Sequence, residues 1–280
     1  MDGIILLNKE KGITSRDLVN KVSKKLNMKK VGHAGTLDPL AEGLMVIGIG
    51  KGTKILDLLS LNKKEYIATI KMGFQTDTYD ITGNIISKKD NFKIDNSKIE
   101  EVIYSFKGSY FQTVPKYSAV KINGKKLYEY ARNNQSIELP KRKVNIYNIE
   151  IIKIDNLNNE IKIKTLVSKG TYIRSLINDI GEKLDIPCTM KELIRTKSGK
   201  FDLQDSSSID SDFKIISIKD SLDFKIIEVG NETLLKRIKN GNQIDLKNEM
   251  DLYVILTDIN EKELAIYKKD NSCYKAYKMF

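Results

Sequence analysis

A glycine-rich loop near the N-terminus frames an aspartate. Residues 32–43 read Gly-His-Ala-Gly-Thr-Leu-Asp-Pro-Leu-Ala-Glu-Gly. Pro39 biases Asp38 away from helical backbone angles, and the glycines let another chain come close to the backbone. An isolated Asp-Pro pair would more often be a turn that starts a helix. The glycine frame and the only histidine of the chain, His33, favour a site in which Asp38 is held rigidly at a cleft.

An arginine in the first turn of a predicted helix is a second candidate. A strand pattern ends at residue 170, where Thr171 is expected to cap a helix with apolar positions between residues 173 and 184. Because the helix dipole disfavours a cation at this end, we expect Arg174 to face an anion, either a protein carboxylate or a phosphate. Asp38 could be that carboxylate. An ordinary structural salt bridge is the alternative, and spacing alone does not separate the two.

An aromatic residue, Tyr66, opens another predicted strand, over residues 66–72. An aromatic side chain at the start of a strand usually packs into the core. Beside a cleft, however, it can stack on a nucleobase, because every base has a flat π-face. Both interpretations of Tyr66 stay open on the residues alone.

The scarce residues exclude several kinds of site. The chain has one histidine and two cysteines, Cys188 and Cys273, which cannot form a Cys/His zinc site, a disulfide framework or a Cys-x-x-Cys redox pair. A GxSxG serine elbow is missing. Thr53 replaces the third glycine of a GxGxxG motif, and Ile49 replaces the lysine of a Walker A motif. Any catalysis therefore rests on Asp, Glu, Lys, Arg, Tyr, Ser or Thr.

The charge of the chain indicates a polyanionic partner for its first part. The 280 residues carry a formal net charge of +11, and residues 221–280 contain 10 basic and 10 acidic side chains. The whole excess therefore lies in residues 1–220, although a lysine-rich solvated surface is the plain alternative. No apolar run approaches the roughly 18–20 residues of a membrane span, and the start shows no signal-peptide pattern. We expect a cytoplasmic protein without a membrane partner.

Apolar periodicity predicts the elements that must position these residues. A capping box at Thr14–Asp17 predicts the start of a helix, and alternating or continuous apolar runs predict strands. Asn123-Gly124 is typical of a type I′ hairpin, and a turn before a helix is equally possible. The predicted elements are strand 3–7, helix 14–26, strand 44–49, helix 55–59, strand 66–72, loop 76–84, strand 161–167, helix 173–184 and, in the last part, helix 234–238, turn 240–242 and strands 252–256 and 264–267.

Together these segments resemble the TruB-type tRNA pseudouridine synthases, the bacterial enzymes for the T-loop uridine at position 55 of tRNA. The resemblance covers nearly the whole chain, in order, and so many blocks in register make it specific. It rests on Leu7-Asn8-Lys9, Gly12-Ile13-Thr14-Ser15, Gly32 to Gly43, Lys64-Glu65-Tyr66, Thr76-Asp77-Thr78-Tyr79-Asp80, Tyr117-Ser118-Ala119, Gly124 to Arg132, Ser168 to Arg174 and Leu193-Ile194-Arg195-Thr196.

The resemblance implies a role for each matching residue. Asp38 would be the catalytic nucleophile, Arg174 would pair with it, and Tyr66 would stack on the target uracil and be a candidate proton acceptor. The other matching residues would bind the substrate: Tyr172 in the same pocket, Leu193 against the uracil, His33 on the opened RNA loop, and Lys9 and Lys169 near the site.

The fold implied by the resemblance is α+β. It is a mixed, largely antiparallel central sheet flanked by helices, followed by a small C-terminal β-rich domain of the PUA type. Residues 1–224 would form the catalytic domain, with a basic insertion called the thumb at about 115–143, and residues 225–280 the PUA-like domain.

The implied reaction breaks the glycosidic bond, turns the uracil and rejoins it through carbon 5, with no metal and no nucleotide cofactor. Asp38 could attack either the sugar or the uracil ring. The target must be flipped out of its folded loop, which costs about a few kcal/mol, and Lys and Arg contacts to phosphates offset that cost. The expected partner is the T-arm stem-loop of tRNA, bound by a monomer.

A non-catalytic function is the competing hypothesis. A tRNA-binding or RNA-folding chaperone could use the same basic face and the same loop-opening His33. Its signature would be a missing acid in the Gly-x-Leu-Asp-Pro loop, whereas Asp38 is present.

Overall fold

Strands outnumber helices along the chain. The computed structural model describes residues 1–93, 95–133, 135–246 and 249–280. The strands are β1 (Gly3–Lys9), β2 (Val31–His33), β3 (Glu42–Ile49), β4 (Lys64–Met72), β5 (Phe74–Thr76), β6 (Ile85–Lys88), β7 (Gly108–Thr113), β8 (Lys121–Ile122), β9 (Lys125–Lys126), β10 (Lys141–Asp155), β11 (Glu160–Val167), β12 (Cys188–Ser198), β13 (Phe201–Asp202), β14 (Lys225–Glu228), β15 (Tyr253–Thr257), β16 (Glu263–Asp270) and β17 (Cys273–Met279).

The helices of the described residues are short. The longest, α5, has 12 residues, and none in the described ranges is long and apolar enough to cross a membrane. The α-helices are α1 (Ser15–Lys25), α2 (Leu56–Ser60), α3 (Asn96–Tyr104), α4 (Leu127–Arg132), α5 (Ile173–Leu184), α6 (Ile218–Ser221) and α7 (Glu232–Lys239), and 3₁₀ turns span Gly50–Ile55 and Leu203–Asp205.

A mixed sheet forms the centre of the molecule. Its strand order is β1-β3-β12-β4-β11-β10-β7, with β2 beside β3 and β13 beside β12. Among these described strands the β3–β12 pair is parallel and the other pairs are antiparallel. Helices α1, α3 and α5 contribute their apolar residues to one core cluster that also contains the buried residues of β4. The α+β class, with a largely antiparallel sheet flanked by helices, is therefore confirmed.

The predicted elements match observed ones, but further elements, among them α3, β7, β10 and β12, were not predicted. Strand β10 was not predicted because its register shifts after Ile146 and after Ile151, and each bulge breaks the alternation that sequence periodicity depends on. Asn123 and Gly124 both have positive φ, so they form the β8–β9 turn directly before α4. Both interpretations of that dipeptide therefore hold.

One predicted cap is wrong. Helix α5 begins after Tyr172, and no side chain of its own caps it. The Thr171 hydroxyl instead donates to the Ser168 carbonyl at 2.9 Å, because the tight turn before the helix brings these two residues together.

A second sheet closes the chain, in the order β14-β15-β16-β17. Its inner side packs on α7 through an apolar cluster that includes Ile238. Its Ile255 and Ile266 belong to a second cluster that they share with Ile4 and Leu44 of the central sheet. The division into residues 1–224 and 225–280 stays a prediction, because apolar packing continues across it.

Candidate active site

The backbone around Asp38 is held from two sides. The Ser15 hydroxyl, at the start of α1, donates to the Leu37 carbonyl at 2.9 Å and accepts from the Leu37 N–H at 2.8 Å. On the other side the Lys9 ammonium donates to the Ala41 carbonyl at 2.6 Å. The Asp38 side chain itself keeps 35% of its surface exposed. The loop is thus rigid while its carboxylate stays accessible.

The Arg174 guanidinium joins three segments of the chain. Its Nε lies 2.9 Å from Asp38 Oδ2, as an ion pair without hydrogen-bond geometry. Its Nη1 donates to the Thr78 carbonyl at 2.8 Å, and its Nη2 donates to the Tyr117 carbonyl at 3.0 Å. A second carboxylate, Asp80, lies 3.8 Å from Nη1. The anion that faces Arg174 is therefore a protein carboxylate, and it comes from the glycine-framed loop.

These groups line a cavity of about 290 Å³. That volume is close to the lower limit, about 300 Å³, of typical ligand pockets. Tyr66 on β4 and Leu193 on β12 are 8% and 5% exposed, and they give the cavity an aromatic and an aliphatic wall. Six of the eight predicted site residues line it, namely Asp38, Tyr66, Lys169, Tyr172, Arg174 and Leu193.

The other two predicted residues, Lys9 and His33, do not line the cavity. Lys9 is completely buried beneath the Asp38 loop, and this burial lowers its pKa to about 8. Burial also lowers the pKa of His33, which the cations of Arg16 and Arg195 lower further, so its ring is neutral at pH 7. Its Nδ1 accepts from the Gly35 N–H at 3.3 Å. Lys9 therefore supports the loop from inside the protein, whereas the half-buried His33 bonds within the loop.

Two cations of the cavity wall were not singled out by the sequence. Lys64 donates to the carbonyls of Ser60 and Asn62, and burial lowers its pKa to about 8. Arg195 is 2% exposed and donates through Nε to the Leu44 carbonyl at 2.7 Å. Each lies inside a sequence block on which the family resemblance rests, and that block was the signal that could have identified it. With Lys169 and Arg174 they place four cationic side chains in the wall of the cavity that Asp38 also lines, a setting that suits a phosphate-bearing ligand.

Ser118 was also missed as an individual residue. Its side chain is buried and lines the cavity, and its hydroxyl has no hydrogen-bond partner among the described residues. An unpaired buried hydroxyl costs roughly 1–3 kcal/mol. It is therefore well suited to a polar group of a bound ligand.

Comparison with known proteins gives consistent matches. A family model described as TruB family pseudouridylate synthase (N terminal domain) matches residues 23–173. A protein of Mesoplasma florum called tRNA pseudouridine synthase B is 41% identical over 272 residues, covering 96% of this chain and 94% of the relative. A protein of the same name from Oceanobacillus iheyensis is 46% identical over 211 residues, covering 75% and 70%.

Solved structures share the fold at lower identity. A chain of a Cbf5–Nop10–Gar1 complex superimposes with a TM-score of 0.73 at 22% identity, covering 99% of this chain and 84% of that one. A chain of an H/ACA ribonucleoprotein bound to a substrate RNA gives a TM-score of 0.71 at 21% identity, with coverage of 99% and 84%. At these identities the match establishes the architecture of the chain.

Proposed function

The chain belongs to the TruB family of pseudouridylate synthases, and from that premise we propose that it isomerises uridine to pseudouridine in tRNA at the cavity around Asp38. The observation that carries the assignment to this cavity is the Asp38–Arg174 ion pair, at 2.9 Å, in its wall. The family's relatives are tRNA-modifying enzymes by name, so the partner is RNA.

The cavity suits a flipped nucleotide. Its volume of about 290 Å³ accepts a pyrimidine ring, and Tyr66 and Leu193 supply the flat and apolar contacts that a base needs once it has left its stack. The unpaired Ser118 hydroxyl can hydrogen-bond a polar atom of the nucleotide. Lys169 and Lys64 lie at the same wall, where cations offset the phosphate charge of the chain that carries the base.

The chemistry proposed for the site needs one reactive carboxylate. Asp38 acts as the nucleophile, in a transient bond to the sugar or the uracil ring that is broken again when the product forms. The bond from N1 to the ribose C1′ breaks, a bond from C5 to C1′ forms, the C5 hydrogen passes to a base, for which Tyr66 is the candidate, and N1 gains a proton. Arg174 orients that carboxylate, because its own position is set by the Thr78 and Tyr117 carbonyls. Tyr172 completes the pocket wall beside it.

Finer features of the function belong to the same proposal. The target is the uridine at position 55 in the T-arm, the enzyme acts as a monomer in the cytoplasm, and residues 115–143 form the thumb that grips the RNA. Eight Lys and Arg residues against two Glu in that range support the last point. Residue 134 of the thumb lies outside the described residues.

The direct test is to incubate purified protein with unmodified tRNA, without added cofactor, and to map pseudouridine by sequence. We expect one modified position, in the T-loop. Tight tRNA binding without any pseudouridine formation would refute the proposed enzymatic activity and support the RNA-chaperone alternative. Pseudouridine at another position would keep the activity and overturn the T-arm assignment.

Charge reversal on the thumb tests how the RNA is held. Lys121 and Lys125 are exposed on the β8–β9 hairpin. The double variant Lys121→Glu/Lys125→Glu should raise the Kd for tRNA by about tenfold or more and reduce its salt dependence, since phosphate contacts carry both. The melting temperature should stay the same, because both side chains are exposed.

A matched control reverses two exposed lysines of the C-terminal sheet region, in the variant Lys239→Glu/Lys262→Glu. Filter binding at several salt concentrations measures all three proteins. The control should bind tRNA as the wild type does. Equal affinities for the wild type and the thumb variant would remove the thumb assignment.

A further inference from the structure

The first turn of α5 is bound to the neighbouring edge strand β7 by a buried amide. Gln112, on β7, is 1% exposed. Its Oε1 accepts from the Tyr172 N–H at 2.8 Å, and its Nε2 donates to the Tyr172 carbonyl at 3.1 Å. One side chain thus pairs with both backbone groups of the residue that precedes α5, much as a neighbouring strand would. This contact holds Tyr172 where no cap from the helix itself exists.

A chain of hydrogen bonds determines which way this amide points. Gln112 Nε2 also donates to the Tyr110 hydroxyl at 2.6 Å, and that hydroxyl donates to Asp179 Oδ2 at 3.1 Å. Burial raises the pKa of Asp179 to about 6, so at pH 7.5 its carboxylate is ionised and can only accept. Tyr110 must then donate to Asp179 and accept from Gln112. The Gln112 oxygen is therefore left facing the Tyr172 N–H.

The contacts of β7 follow one face of α5. Tyr172, Ser175 and Asp179 are spaced three and four residues apart, which places them on the same side of a helix. The Ser175 hydroxyl donates to the Thr113 carbonyl at 2.9 Å. Arg174 lies in the same turn, between two of these tethered residues. A shift of Tyr172 would therefore move the guanidinium relative to Asp38.

We propose that Gln112 is a positioning residue for the reaction, which holds Tyr172 and, through the first turn of α5, sets the guanidinium of Arg174 against Asp38. Tyr110 and Asp179 support it by orienting its amide. Among the described residues, none of these three lines the cavity, so they act through Tyr172 and Arg174. The inference rests on the proposed function and adds to it a layer of residues behind the site.

The variant Gln112→Met tests the proposal, because it keeps the length of the side chain and removes its polar atoms. We expect kcat to fall about 10- to 100-fold, as a displacement of about 1 Å at a catalytic group can cause. The KM for tRNA should stay within about threefold, since the RNA-binding surface is untouched. Hydrogen exchange at the Tyr172 amide should become about tenfold faster as its acceptor is lost.

Tyr110→Phe is the second variant, and it carries the test if Gln112→Met fails to fold. It keeps the edge-to-face contact with Phe106 and removes only the hydroxyl that orients Gln112. It should also lower kcat and speed the Tyr172 amide exchange, by smaller factors than Gln112→Met does. Ser221→Ala is the control: it removes one buried hydrogen bond, to the Ile218 carbonyl, far along the chain from the site, and should leave kcat unchanged.

The outcomes separate this inference from the function it rests on. An active wild type with unchanged kcat and unchanged Tyr172 exchange in both variants would overturn the role of Gln112 alone. A loss of kcat matched by Ser221→Ala would also overturn it, because general destabilisation would then explain the loss. A wild type that forms no pseudouridine would overturn the proposed function and this inference together.

Discussion

Exchange of Asp38 for asparagine is expected to abolish pseudouridine formation while the Kd for tRNA stays within a few-fold of the wild-type value. Asparagine has the same shape, and its amide oxygen can still face Arg174 Nε, which lies 2.9 Å from the carboxylate. What disappears is the negative charge and the oxygen that we propose as the nucleophile. Tritium release from tRNA labelled at carbon 5 of uracil measures turnover, and filter binding measures affinity.

The control for this result is the same Asp-to-Asn exchange at an exposed position outside the site. Asp212 is exposed in the connection before α6, and Asp212→Asn should retain wild-type turnover. Asp38→Asn should melt within a few degrees of wild type, because its loop is held by Ser15 and Lys9 rather than by its own side chain. Residual turnover above about one per cent would contradict a nucleophilic role for Asp38.

The variant Arg174→Lys should reduce turnover by about 100-fold or more, because removal of one oriented hydrogen-bond donor from a catalytic site typically has an effect of this size. The guanidinium serves Asp38, the Thr78 carbonyl and the Tyr117 carbonyl from three different nitrogens. A lysine has one nitrogen, which cannot reach all three. The carboxylate would then lose its orientation, and at least one buried carbonyl would lose its donor. Single-turnover kinetics with excess enzyme measure the chemical step directly.

Stability must be followed in the same experiment, because Arg174 is 5% exposed and its loss affects packing. Arg237→Lys is a suitable comparison, since that exposed guanidinium donates to the Gln243 carbonyl in the C-terminal region and should leave turnover unchanged. Wild-type kinetics in Arg174→Lys would show that a point charge suffices beside Asp38. That result would remove the orienting role of the guanidinium and with it the reason for the Gln112 inference.

Much of the fold could be predicted from local patterns. Strands β1, β3, β4 and β11 have continuous or alternating apolar residues, and α1 begins with the predicted capping box, in which Thr14 and Asp17 bond each other. Strand β10 could not be predicted, because its two bulges shift the inward face twice. Strands β14 and β17 were missed in the same region where β15 and β16 were found, since they contain few buried residues and their apolar periodicity is therefore weak.

Some residues of the candidate site could likewise be predicted from the sequence, and others could not. Asp38 and Arg174 were each singled out because of an unusual local setting, a glycine frame for one and a helix start for the other, and the family resemblance implied that they pair. Gln112, Ser118 and Lys64 have no unusual local setting, so the sequence around them does not distinguish them from other polar residues. The roles of all the predicted site residues stay predictions until the variants are measured.

Local chemistry along the chain was therefore enough to determine which residue types are available for catalysis, where several strands of the sheet lie, and that Arg174 needs an anionic neighbour. Only the tertiary structure decided that Arg174 is held by the carbonyls of Thr78 and Tyr117, and that the Gln112 amide bonds both backbone groups of Tyr172, just before the turn that carries Arg174. The physical reason is distance along the chain. Partners 57 to 136 residues apart meet through strand register and helix packing, which no short window of sequence contains.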